Sequence, residues 1–156
     1  MTEAGLVEDF HPATAAERHL PEKLVLWDET LRDGEQAPGV HFSPDEKLRI
    51  AEKLDEVGVA VINAGIPVVS SKETRAVRLL AGAGLSAKIL AAARTVPRDV
   101  EAVVDSGATH IAVFVAASQV HLRFKLKMTP DEVLAASVAS VRRAKDAGLH
   151  VAFVTE

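Results

Sequence analysis

From residue 23 onward, short apolar runs alternate with amphipathic segments. The first run, Leu24-Val25-Leu26-Trp27, reads as a buried strand. Residues 43–57 then read as a helix. Ser43 can N-cap it, Pro44 suits the first turn, and Glu46 stands three residues after Ser43, as in a capping box. Leu48, Ala51, Leu54 and Val57 share one face of this helix. Lys47, Arg49, Glu52, Lys53 and Glu56 lie away from it, and Gly58 stops it. The cycle then repeats. Residues 59–62 form an apolar run, and 71–81 form a helix that stops in Gly82-Ala83-Gly84. A third strand spans 87–93, although alanine, which dominates it, is a poor strand former. Residues 97–105 read as a helix closed by Gly107, and His110–Val115 as a fourth strand. Thr129-Pro130-Asp131-Glu132 opens a long helix with Leu134, Val138 and Val141 on one face and Gly148 at its end. A fifth strand covers 150–154. Residues 1–22 carry no sustained period and read as a tail, which leaves 23–156 as the folded domain.

Continuous apolar strands between capped helices indicate a parallel sheet covered by helices. Two architectures share that pattern: a doubly wound open sheet of the flavodoxin type and a (β/α)8 barrel. The pattern alone does not separate them.

Composition narrows the function classes. The 156 residues are 48% hydrophobic and 26% charged, with a net charge of −4 and no cysteine. Those values exclude a disordered chain and a disulfide framework, and they leave no basic footprint for nucleic acid. No apolar run approaches the ~18–20 residues of a transmembrane helix. The first twenty residues hold several acids and no long apolar core, so they do not read as a secretory signal. The expected location is the cytoplasm.

In both architectures ligands bind beyond the carboxyl ends of the strands. The residues there are polar after every strand. Asp28-Glu29-Thr30-Leu31-Arg32-Asp33-Gly34-Glu35-Gln36 follows the first, Asn63 and Gly65-Ile66-Pro67 the second, and Arg94 the third. Ser118, His121, Arg123, Lys125 and Lys127 follow the fourth, and Thr155 and Glu156 the fifth. In the densest cluster, the carboxylates could take a divalent cation through hard oxygen ligands, and Arg32 could hold a carboxylate or oxyanion with its planar fork. The same cluster also suits a polar loop in which Asp28 or Glu29 serves as a cap. His121 suits a ligand, a base or an exposed loop residue. Lys125 and Lys127 suit an anion or coenzyme contact, or plain solvation. No phosphate-binding glycine loop, G-x-S-x-G elbow or cysteine nucleophile is present.

The run Asp28 to Gly39, DETLRDGEQAPG, resembles the N-terminal signature of the isopropylmalate synthase and homocitrate synthase family. These are metal-dependent (β/α)8 acyltransferases with a pyruvate carboxyltransferase-type domain. More similarity follows in order: residues 43–51, Gly58-Val59, Gly65-Ile66-Pro67, Arg94, Ser118-Gln119-Val120-His121 with Lys125-Leu126, and Phe153-Val154-Thr155-Glu156. The resemblance spans roughly Leu24 to Glu156. It implies a partial (β/α)8 TIM barrel with about five of the eight βα units. It also implies a Claisen condensation of acetyl-CoA with a 2-oxo acid in amino-acid or related carboxylic-acid biosynthesis. Its divalent cation, Mg, Mn or Zn, would polarise the oxo acid. By family position Asp33 is a metal ligand, Arg32 stabilises the oxyanion, and Glu156 belongs to the groups that manage protons. Gln36, Asn63, Arg94, Ser118 and His121 contact the substrate.

Two departures stand out. Asn63 occupies a position where the family carries Glu, and Asn cannot ionise. The family's His-x-His metal pair has no counterpart here, so a cation held by Asp33 and waters would bind weakly. A closed barrel of this type takes about 250 residues. The resemblance therefore implies that the chain needs a missing C-terminal half, a complementary chain or a homo-oligomer to complete the site. The alternative is a catalytically inactive truncated barrel that acts as an interaction or regulatory module through its open edge.

Overall fold

The computed structural model describes residues 24–155. The expected tail over 1–22 and the proton-handling Glu156 lie outside the described residues. The elements follow in a simple alternation: β1 (Trp27–Asp28), α1 (Pro44–Glu56), β2 (Val61–Asn63), α2 (Ser71–Ala81), β3 (Lys88–Arg94), α3 (Pro97–Ser106), β4 (His110–Val115), a one-turn α4 (Gln119–His121), α5 (Pro130–Asp146) and β5 (His150–Thr155).

The helix starts obey the sequence signals. The Ser43 hydroxyl accepts from Glu46 N at 3.2 Å, and the Glu46 carboxylate accepts from Ser43 N at 2.7 Å, closing a capping box. Thr129 and Glu132 form a second one at the start of α5. Gly107 closes α3 in the left-handed conformation, with φ 80°.

The five strands are parallel and lie in the order β1-β2-β3-β4-β5. That order decides the architecture. A doubly wound sheet reverses its strand order at a switch point and places helices on both faces. Here each crossover moves one strand onward in the same direction, so right-handed connections put every helix on one side. The arrangement is an α/β half-barrel, five parallel strands and four covering helices of a partial (β/α)8 barrel.

The helix-covered face holds the main core. Ile62, Ile89, Ala91, Ala93, Ile111 and Val113 of the sheet pack against Ala51 of α1, Val77 and Leu80 of α2, Val100 and Val103 of α3, and Ala144 of α5. The other face is concave and carries a smaller cluster: Leu90, Ala92 and Ala112, with Val61, Ile66 and Phe114. Burial on both faces overrides the weak strand propensity of the alanines in β3.

Three expectations about burial are corrected. Leu24, Val25 and Leu26 are exposed rather than buried, and Leu24 is 79% exposed. Their strand lies at the sheet edge, with β2 on one side only, and just two residues of it are regular. On α5 the buried residues are Val133, Ser137, Ser140 and Ala144, not the Leu134–Val138–Val141 stripe. Small side chains face the sheet and allow close approach, while Leu134, Val138 and Val141 line an apolar groove beside β5 with Phe153. Lys47, expected on the outer face of α1, is 1% exposed, whereas Val57 is exposed.

Candidate active site at the carboxyl ends of the strands

Register places the candidate residues on the concave face. Trp27, Val61 and Lys88 are in register, as are Asn63, Leu90, His110 and His150, and then Arg94, Phe114 and Val154. Side chains alternate along a strand, so Asn63 and Arg94 share the face of Val61, Leu90 and Ala92.

The loop after β1 is a tight polar turn. The Glu29 carbonyl accepts three N–H groups, from Arg32 at 3.1 Å, Asp33 at 2.8 Å and Gly34 at 3.1 Å. The Asp28 carboxylate accepts from Thr30 N at 2.9 Å and from its hydroxyl at 3.0 Å, so Asp28 does act as a local cap. This winding anchors Leu31 in the core and brings Arg32 back over the sheet. The Arg32 guanidinium carbon lies 5.7 Å from the Phe114 ring centroid. One terminal nitrogen of Arg32 pairs with Asp33 at 2.7 Å. Its Nε is buried and has no hydrogen-bond partner. A buried cationic N–H without an acceptor is costly, and an incoming carboxylate or oxyanion would satisfy it.

Asn63 sits beside this turn, 2% exposed. Its amide nitrogen donates to both carboxylate oxygens of Glu29, at 3.0 and 2.9 Å, and its oxygen accepts from Gly65 N at 3.2 Å. A glutamate here would face the Glu29 carboxylate at hydrogen-bond distance, and the pair would have to share a proton. With Asn63, Glu29 is held by a neutral donor.

The other expected residues divide. Gln36 ends a short 3-10 turn and lines a cavity of about 280 Å³ with Arg32, Glu35, Gly65 and Ile66. Arg94 reaches the rim, but its fork is engaged by Asp99: Nε to Oδ2 at 2.6 Å and a terminal nitrogen to Oδ1 at 3.1 Å. Hydrogen bonding and charge from the buried Asp99 raise the Arg94 pKa. Ser118 caps the short α4, accepting from His121 N at 3.3 Å. His121 is half-buried, with Nδ1 unpartnered. After it the chain forms a π-helical turn over Leu122–Leu126 and leaves it at Lys127, a non-glycine residue with φ 56°. Such turns cluster at functional sites. The structure therefore gathers Arg32, Asp33 and Asn63 at one corner, with Gln36 beside them, and ties Arg94 into its own helix start.

Sequence reasoning missed the group behind that corner. Lys47 donates to Glu35 at 2.7 Å, to Glu73 at 2.7 Å, and to the carbonyls of Leu31 at 3.0 Å and Ala64 at 3.3 Å. The other oxygen of Glu35 accepts from Phe42 N at 2.9 Å. Burial pushes the Glu35 pKa up, but the hydrogen bonds from Lys47 and Phe42 N and the charges of Lys47 and His41 outweigh it, so the net shift is downward. The usable signal was spacing: Lys47, Ala51 and Leu54 fall on one helical stripe, and Lys47 extends the buried face by a turn. The sequence offers Glu29 only as a possible ligand or cap, and its contact with Asn63 spans too much sequence to be read from a pattern.

The family resemblance implies a divalent cation. Asp33 is exposed and paired with Arg32, and no group of three His, Asp or Glu side chains among the described residues is arranged to hold a metal ion. These residues do not by themselves fit a cation, so the remaining ligands would have to come from outside them. No helix among the described residues is long and apolar enough to cross a membrane.

Comparison with known proteins agrees with the geometry. A family model described as HMGL-like matches residues 23–156. A homocitrate synthase from Methanopyrus kandleri is 50% identical over 140 residues, which cover 90% of this chain and 35% of that protein. A probable 2-isopropylmalate synthase from the same organism is 45% identical over 137 residues, covering 88% of this chain and 28% of that protein. The chain thus spans about a third of the curated relatives it matches. Among solved structures, a Bacillus subtilis HMG-CoA lyase superposes with a TM-score of 0.71 at 21% identity, covering 86% of this chain and 47% of the lyase, which shows the shared fold.

Proposed function

We propose, from the premise that this chain belongs to the HMGL-like family, that it supplies the N-terminal part of a synthase that condenses acetyl-CoA with a 2-oxo acid, as a homocitrate or 2-isopropylmalate synthase does. The observation that carries this is the Arg32 corner: a guanidinium held over the concave face, paired on one side with Asp33 and carrying a buried, unpartnered Nε. The chemistry needs such a group. A base removes a proton from the acetyl methyl, the resulting carbon bonds to the oxo carbon, and the former carbonyl oxygen takes the negative charge. Arg32 stabilises that oxygen, and loss of such a donor costs roughly 10²–10³ in rate. Water then cleaves the thioester and CoA leaves as the thiol. A divalent cation, held with ligands from outside the described residues, would supply polarisation of the oxo acid. By family position Asp33 would join its ligand set, Asn63 orients Glu29, and Gln36, Ser118 and His121 would contact the substrate. Arg94 contacts the oxo acid only if it leaves Asp99. Glu156 completes the proton-handling set.

Residues 23–156 form the catalytic domain's first portion. Three further βα units close the barrel, from a longer polypeptide or from a complementary chain. The apolar groove of Val115, Leu134, Val138, Val141 and Phe153 beside β5 is the seam. The reading is tested by supplying the complementary segment and measuring CoA thiol release with acetyl-CoA and a panel of 2-oxo acids in the presence of Mg, Mn or Zn. No release from a folded complex would refute it.

Two observations favour a second reading, a non-catalytic module that pairs through its open edges. Leu24, Val25 and Leu26 are exposed at one edge and Phe153 and Val154 at the other, and Asn63 removes a family carboxylate. Light scattering with metal titration separates the two: association without specific cation binding by the completed complex supports the module.

A further inference from the structure

We propose that Lys47, together with Glu35 and Glu73, is a positioning residue. Its buried ammonium fixes the loops after β1 and β2 in one register and so sets where Arg32 and Asn63 stand. This rests on the reading of those loops as the active-site rim.

The geometry is specific. The Leu31 carbonyl immediately precedes Arg32, and the Ala64 carbonyl immediately follows Asn63; Lys47 Nζ binds both, at 3.0 and 3.3 Å. Its two carboxylate partners come from different elements, Glu35 from the β1 loop and Glu73 from the first turn of α2. An ammonium has three protons, and four oxygens surround this one, so the longest contact, to Ala64, is shared. The Glu35 carboxylate is itself pinned, accepting from Phe42 N at 2.9 Å, and the backbone N of Glu73 donates to the Ser70 hydroxyl at 3.1 Å, which fixes the start of α2 that carries it. The chain also leaves room for the cluster: Gly65 has φ +133°, and a Cβ there would overlap the Glu73 carboxylate.

Energetics favour placement over stability as the role. A buried ion pair is often matched or exceeded in stability by apolar residues of similar volume, because both charges must leave water. What an apolar replacement cannot do is hold two carbonyls from two loops at one point. Glu35 and Glu73 also form the wall of the cavity that Arg32 and Gln36 line, so a shift of the cluster moves that wall.

The test is amide hydrogen exchange on this chain, read at Arg32, Asp33 and Gly34, which all bond to Glu29 O, and at Ala64 and Gly65. Amides of β3 and β4 serve as the reference. The variants are Lys47→Met and the charge-neutral Lys47→Met/Glu35→Gln/Glu73→Gln. In the triple variant the melting temperature stays near that of the wild type, while the five loop amides exchange at least about tenfold faster, the factor for losing one charge-assisted hydrogen bond. The Arg32 Nε–H resonance moves as well. Loop amides as protected as in the wild type would overturn the proposal. If either variant fails to fold, Glu73→Gln alone decides: it keeps the Lys47 charge and weakens one of its two carboxylate contacts, so the five loop amides must exchange faster relative to the β3–β4 reference, and unchanged relative protection would overturn the proposal. None of these readouts needs turnover. Absent CoA release would sink the synthase reading and leave the clamp standing, and unchanged loop exchange would do the reverse.

Discussion

Gly65→Ala is a single-methyl change with a large expected effect. Gly65 has φ +133°, a region that side-chain-bearing residues rarely adopt. Its added Cβ would overlap Glu73 Oε1 and lie 2.9 Å from the Glu73 carboxyl carbon and 3.3 Å from Lys47 Nζ. Two costs combine. Backbone strain of this kind is worth roughly 1–3 kcal/mol. Pushing Glu73 off Lys47 disturbs a buried ion pair, and breaking such a pair outright costs roughly 3–5 kcal/mol. Lys47 keeps Glu35, so only part of the second cost applies, and the sum is about 3 kcal/mol. For a chain of this size that lowers the melting temperature by roughly 10 °C. Urea unfolding followed by circular dichroism measures it. Gly65→Ala/Glu73→Ala removes the clash and retains the strain, so its cost should fall short of the summed single variants by about 1 kcal/mol or more. A Gly65→Ala protein within about 1 kcal/mol of the wild type, or strictly additive variants, would refute the reasoning.

Further outcomes follow from other parts of the molecule. Ser43→Ala and Thr129→Ala each remove one half of a capping box and should each cost about 1 kcal/mol in urea unfolding. The Glu35 carboxyl is held below its ordinary pKa, so its contribution to stability is full above the unfolded value and is lost as pH falls through the folded one. Glu35→Gln should flatten that acid limb in thermal melts. His110 stacks on His150 with ring centroids 4.6 Å apart, and burial, then the charges of His150 and Lys88, lower its pKa. The unfolded chain binds more protons there, so stability falls as pH drops from the ordinary imidazole value through the folded one. His150→Gln should raise the His110 pKa in an NMR titration; an unchanged value would contradict the coupling. Phe153→Lys in the apolar groove beside β5 should reduce dye binding to exposed apolar surface without lowering the melting temperature, since Phe153 is 47% exposed.

The sequence made the fold legible wherever a local signal decided an element. Ser43-Pro44-Asp45-Glu46 and Thr129-Pro130-Asp131-Glu132 place two helix starts, and His110–Val115 is a strand by its apolar run. Strand order was not local, and only the shared motif Asp28–Gly39 chose the barrel over the doubly wound sheet. Two of the errors lie at the open edges, where Leu24–Leu26 and the Leu134–Val138–Val141 stripe are apolar yet left uncovered by the half-barrel, and the third is Lys47, buried by partners distant in sequence. At the site, position along the chain suffices to put Arg32, Asp33 and Asn63 at the carboxyl ends of β1 and β2. The clamp at Lys47 and the Asn63–Glu29 contact join residues 26 and 34 positions apart, beyond the reach of any periodic pattern.

If the Arg32 corner belongs to an acetyl-CoA and 2-oxo acid condensation site completed by segments outside the described residues, Arg32 must matter to turnover. The most direct measurement is CoA thiol release by the completed barrel, wild type against Arg32→Ala, with 2-oxo acids added one at a time. Release should depend on the oxo acid and fall roughly 10²–10³-fold in the variant, with folding unchanged. Release that ignores the oxo acid, or that survives Arg32→Ala, would contradict that assignment.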